Sequence, residues 1–149
     1  KYLVEHDVKH LAVIVDEDTS VLPTINRIQG ALDFLNKQKR DFEPLAIQHL
    51  DLEATFPGDY DGVLASNDVQ ALTITNLYYQ AGKQINKDFF ITGYDGSRLI
   101  RKVAPYLPTV IQPIPLLAHE LIETLMKRIE TPHEKIETKL VPVEFYQPK

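Results

Sequence analysis

Asp61-Gly62-Val63-Leu64-Ala65-Ser66-Asn67-Asp68-Val69-Gln70-Ala71-Leu72 is the stretch that decides the fold. An apolar run, Gly62 to Ala65, stops at three polar residues, and an apolar helical pattern starts at once: Val69, Leu72, Ile74, Leu77, Tyr78, Ala81. A strand that gives way to a helix at a polar step is the edge of an open α/β sheet, and such sheets bind ligands beyond the carboxyl ends of their strands. Asn67 and Asp68 either accept from the free N–H groups of the new helix or face a ligand.

The same pattern recurs on both sides of this stretch. Tyr2, Leu3, Val4 and Val8 read as the tail of a helix. Leu11-Ala12-Val13-Ile14-Val15 is a β-branched run suited to a strand covered on both faces. It ends in Asp16, Glu17 and Asp18. Pro23 suits a first helical turn, with Thr19 and Ser20 as possible caps, and Ile25, Ile28, Leu32 and Leu35 repeat at helical spacing to about Lys39. Residues 45–47 read as a second strand and 50–60 as a polar loop, too short for a full crossover helix. The central helix runs 68–81, with Gly82 placed to stop it. Residues 89–92 form the next strand, ending at Gly93-Tyr94-Asp95-Gly96. A short helix over 98–103 precedes a strand at Thr109-Val110-Ile111, which Gln112-Pro113 ends. Pro115 opens the last helix, striped by Leu117, Leu121, Ile122, Leu125, Met126 and Ile129, and a final strand covers 138–145. Strand and helix alternate throughout, so the fold class is α/β: an open, mostly parallel twisted sheet with helices on both faces.

Bulk composition narrows the function. The 149 residues suffice for one domain with a real core. Hydrophobic residues make up 44% and charged residues 25%, ordinary for a globular chain, and no apolar run is long enough to cross a bilayer. The net charge of −5 carries no basic block, so nothing here has the footprint of nucleic-acid binding. The lack of cysteine removes disulfides, thiolate catalysis and Cys-based zinc sites, and fits a reducing cytoplasm.

The polar strand ends are Asp16 and Asp18, Ser66 to Asp68, Tyr94 and Asp95, and Gln112, and a parallel sheet lines them up along one edge. Arg27, early in its helix, points back to that edge. Carboxylates and amides accept from ligand hydroxyls while a guanidinium donates in a planar fork, so this set suits a hydroxyl-rich ligand. Enzyme signatures are poor. The glycines of Gly93-Tyr94-Asp95-Gly96 and Gln29-Gly30-Ala31 lack dinucleotide spacing, and there is no P-loop or nucleophile elbow. The five histidines lack metal-ligand spacing. No cofactor and no metal is expected. An Asp68/Asp95 pair serving a hydrolase or phosphotransferase is a rival reading that nothing else supports.

Several segments resemble the effector-binding region of the lactose/galactose repressor family of bacterial transcription regulators. Glu5-His6-Asp7-Val8-Lys9-His10-Leu11-Ala12-Val13-Ile14 is similar to the family's GH-(R/K)-x-I-A-x-I segment, with Asp7 where glycine is usual. Arg27-Ile28-Gln29-Gly30 is similar to R-x-x-G, and Asp61 to Leu72 to DG-(I/V)-x-x-x-ND-x-x-A-x. Ala81-Gly82, Ile91-Thr92-Gly93-Tyr94-Asp95 and Pro108-Thr109-Val110-Ile111-Gln112-Pro113 complete the series. The resemblance implies two α/β lobes, as in periplasmic sugar-binding proteins, with a small effector between them. Its contacts would fall on Arg27, Asn67 and Asp95, with Gln112 close by and Asp16 and Asp18 as weaker candidates. Residues 1–113 would be the C-terminal lobe, 114–137 a helix and connection crossing to the N-terminal lobe, and 138–149 the last strand and tail. The resemblance also implies a cytoplasmic homodimer that reaches operator DNA only through a helix-turn-helix head lying outside this chain, and a sugar, sugar phosphate or purine as effector. A sugar-binding protein of an import system is the alternative within the same fold.

Overall fold

The computed structural model describes residues 1–15, 22–38, 46–49, 60–135 and 137–148. Six strands form one sheet: β1 (Leu11–Val15), β2 (Ala46–His49), β3 (Gly62–Ala65), β4 (Phe90–Asp95), β5 (Thr109–Ile111) and β6 (Glu144–Tyr146). Their spatial order is β2-β1-β3-β4-β5-β6. The first five run parallel, and β6 joins antiparallel with Thr109 opposite Tyr146. The helices are α1 (Tyr2–Glu5), α2 (Leu22–Gln38), α3 (Asp68–Gln80), α4 (Arg98–Val103) and α5 (Ile114–Glu130).

Alternate residues of each strand feed two layers, as the two-residue period requires. Ala12, Ile14, Val63, Ala65 and Ile91 meet Ala71, Ile74 and Tyr78 of α3 and Ile100 of α4. On the opposite face Leu11 joins Tyr2, Leu3 and Val8, with Leu35 of α2 packed against them. Helices therefore cover both faces, as expected. β3 and α3 stand as the sequence predicts, and Gly82 closes α3: its N–H meets the Tyr79 carbonyl, and the Lys83 N–H reaches back to Tyr78, both at 2.9 Å. Asp7, where the resemblance expects glycine, has φ +56, the left-handed conformation that explains glycine's usual place there.

Three expectations need correction. β4 runs to Asp95 rather than stopping at Thr92, because Gly93, Tyr94 and Asp95 pair with β5. The last strand is confined to Glu144–Tyr146, since β5 offers only three residues to pair with, and Leu140 is exposed. Val69 and Ile25, placed by spacing on buried stripes, are exposed. The apolar stripe of α5, on the segment that the resemblance sends across to another lobe, is exposed: no residue of that helix is buried. The second strand begins at Ala46, while Leu45 and the whole of 50–59 lie outside the described residues.

Candidate functional site

The carboxyl ends of β3, β4 and β5 build the site. β3 ends at Ala65, and Ser66 is buried behind it, its N–H on the Ile14 carbonyl at 3.0 Å. Asn67 then leaves the strand with extended backbone and caps α3: its Oδ1 accepts from the Gln70 N–H at 2.9 Å. The Ser66 carbonyl accepts from Arg27 Nη1 at 2.7 Å. The same guanidinium lies over the Tyr94 ring, 4.1 Å from its centre. Tyr94 precedes Asp95, whose Oδ1 accepts from Gln112 Nε2 at 2.7 Å. Asn67, Arg27, Asp95 and Gln112 thus sit in one row, linked through Ser66 and Tyr94. Asp16 and Asp18 lie outside the described residues.

Asp68 takes no part in that row. Only 2% exposed, its carboxylate turns inward. One oxygen accepts from the Gly96 N–H at 2.8 Å and the Ser97 N–H at 3.3 Å, and the other accepts from the Thr109 hydroxyl. This ties the start of α3 to the end of β4 and the start of β5. Burial pushes the Asp68 carboxyl above the ordinary carboxylate range. The hydrogen bonds from Thr109, Gly96 and Ser97 pull it back part of the way, and the charge of Asp95 adds to the rise. Two glycines make the approach possible. A Cβ on Gly93 would collide with the Asp68 carboxylate, and one on Gly96 (φ +61) would come within 2.6 Å of the Ile111 backbone. Asp95 itself is held at φ +113, a conformation L residues adopt rarely.

This arrangement gathers polar groups along one edge of the sheet. A fixed guanidinium, two amide side chains and a half-buried carboxylate offer donors and acceptors in one line. Among the described residues no three His, Asp or Glu side chains converge to hold a metal ion. Of the Asp68/Asp95 pair, Asp68 has both carboxylate oxygens engaged, by Gly96, Ser97 and Thr109. Sequence reasoning placed Arg27 on the edge but missed what holds it there, the Ser66 carbonyl and the Tyr94 ring. An aromatic at a strand end beside an early-helix arginine was the available signal.

The chain's likenesses agree with this geometry. The model of the periplasmic binding protein-like domain family matches residues 1–147. The sucrose operon repressor of Streptococcus mutans is 26% identical over 146 residues, covering 87% of this chain and 42% of the relative. The ribose operon repressor of Haemophilus influenzae is 31% identical over 124 residues, covering 76% and 37%. The chain thus spans less than half the length of either curated relative. A periplasmic binding protein/LacI transcriptional regulator from Alkaliphilus metalliredigens, solved in complex with D-xylulofuranose, superposes with a TM-score of 0.82 at 26% identity, over 98% of this chain and 58% of its own. With its sheet order and a family match over residues 1–147, the chain belongs to the periplasmic binding protein-like domain family, in the form that serves as the effector-binding region of the lactose/galactose repressor type.

Proposed function

We propose that this chain is one lobe of a sugar-responsive transcription regulator and holds a small polyhydroxylated effector on the row Arg27, Asn67, Asp95 and Gln112. The observation that carries this reading is the fixation of Arg27 and Asp95. The guanidinium is pinned by the Ser66 carbonyl and the Tyr94 ring, and the carboxylate by Gln112. A preorganised donor and acceptor lose little entropy when ligand hydroxyls arrive. The sugars in the relatives' names support the ligand class, with a sugar, sugar phosphate or purine as the range to search. Asp16 and Asp18, which follow β1 in the sequence, are the weaker candidates of the same reading.

Residues 1–113 form the C-terminal lobe in this reading. Residues 114–137 carry the chain toward an N-terminal lobe, which covers the exposed stripe of α5, and 138–149 return to the sheet as β6 and tail. The regulator works in the cytoplasm as a homodimer and meets operator DNA through a separate helix-turn-helix head. The mechanism is population shift: the effector favours one lobe arrangement over another, with a coupling of about 1–3 kcal/mol to DNA affinity.

A thermal-shift screen of the full-length protein against sugars, sugar phosphates and purines tests this. Occupancy at a hundredfold excess over Kd stabilises by about 2.7 kcal/mol, a readable rise in Tm. The rise is expected to vanish in Arg27→Ala and Asp95→Ala while both variants still bind operator. Operator binding lost with the effector response intact would sink the assignment.

A further inference from the structure

Asp95 supplies the row with a carboxylate from a backbone that few residues adopt. Its φ is +113 and that of Gly96 is +61, two positive values in succession. Strained backbone of this kind persists only where its surroundings over-determine it.

Two grips on one peptide unit do so here. The unit joining Asp95 to Gly96 is planar, so its C=O and N–H turn together. The C=O accepts from the Gln112 N–H at 3.3 Å. The N–H, on the opposite edge of the plane, donates to Asp68 Oδ2 at 2.8 Å, and the Ser97 N–H donates to the same oxygen at 3.3 Å. Successive N–H groups that converge in this way form a concavity suited to an anion. Its occupant is a side chain of the protein itself. The carboxylate is locked in turn: its other oxygen accepts from the Thr109 hydroxyl and lies where a side chain on Gly93 would be. Pairing of β4 with β5 fixes the backbone up to Asp95, and Asp68 fixes the peptide after it. The direction of the Asp95 side chain follows, and its Oδ1 meets Gln112 Nε2 at 2.7 Å.

We infer that Asp68 is a positioning residue of the strand-edge row: without touching the ligand, it holds the turn that aims the Asp95 carboxylate. The inference rests on the proposal that this row holds the effector. Gly96 is buried, so losing its acceptor leaves an unmet N–H that the turn relaxes to satisfy.

The test uses the full-length protein. Crystal structures of Asp68→Ala, Asp68→Asn and Thr109→Val report the φ of Asp95 and its side-chain bond to Gln112, and calorimetry with D-ribose as probe reports the row. Asp68→Ala is expected to release the turn, break that bond and weaken D-ribose about tenfold, the yield of one hydrogen bond to a charged group. Asp68→Asn keeps an oxygen for Gly96 and Ser97 and turns its amide to the Thr109 oxygen, so it is expected to restore both geometry and binding. Thr109→Val is expected to destabilise the protein while leaving the turn, the bond and D-ribose affinity as they are. That split separates aiming Asp95 from merely holding the lobe together. If Asp68→Ala does not fold, Asp68→Glu decides: it carries the same charge one methylene farther out, where Gly93 leaves no room, and is expected to displace Asp95 likewise. The inference is overturned if turn and bond survive in Asp68→Ala, or in Asp68→Glu where that variant decides. It is equally overturned if Asp68→Asn fails to restore them, or if Thr109→Val displaces them as far. A native protein that binds no D-ribose counts against ribose as the effector alone, and the crystal structures still decide the role of Asp68.

Discussion

At the scale of single residues, Asp68 shows how position in sequence and role in structure come apart. It heads α3, where an aspartate is expected to cap or to face a ligand, yet its carboxylate gathers Gly96, Ser97 and Thr109 in the interior. Replacing it with alanine leaves buried donors unmet and is expected to cost about 3 kcal/mol in chemical denaturation. Asp68→Asn exposes its titration. The folded carboxyl is raised above its unfolded value near 3.9, so between those two values the folded state holds a proton that the unfolded chain has released. Stability therefore rises as pH falls through the raised value. Melting temperatures from pH 7 down to 4.5 should show the native protein gaining on Asp68→Asn, and a flat difference would contradict the burial argument. Gly96→Ala is expected to cost about 2 kcal/mol, because φ +61 and the Ile111 backbone both oppose a side chain there. Arg27, Asn67, Asp95 and Gln112 were legible in sequence because each closes or faces a strand end. The role of Asp68 was not, since it depends on Thr109, 41 residues further on.

Elements were legible where one periodicity ran uninterrupted. β1 and β3 are short β-branched or apolar runs buried in the sheet, and α3 has both a capping side chain and a stopping glycine. The last strand was overread because alternation at Leu140, Val141 and Val143 looks the same whether or not a neighbour exists to pair with it. Only the three residues of β5 are available. α5 is the clearest case of pattern without partner. Leu121, Ile122, Leu125, Met126 and Ile129 are each at least 50% exposed. A continuous apolar stripe of this kind marks a contact surface. Leu121→Lys with Leu125→Lys is expected to cost this lobe less than about 0.5 kcal/mol. With an N-terminal lobe over the stripe, as proposed, the full-length protein should lose about 2–4 kcal/mol. Equal denaturation midpoints for native and variant full-length protein would show that nothing covers α5.

For the molecule as a whole, alternation of strand and helix was enough to specify the sheet and its two covered faces. It could not reveal how closely α2 settles on the sheet, because spacing says which face of a helix turns inward and nothing about distance. Nor could it show how the edge is joined to α5. Gln112 bonds Asp95 at one end of the row, and two residues later α5 begins, its Ile114 N–H on the Gln112 carbonyl at 2.9 Å. Seventeen residues at 1.5 Å each make α5 a rod about 25 Å long with its root at the candidate site. A tilt of about five degrees at Gln112 would sweep the far end through about 2 Å, the size of helix shift that switches subunit interfaces. The helix is thus a long arm rooted beside the bond between Asp95 and Gln112, and its length would turn a small rotation at the root into a larger displacement at the tip.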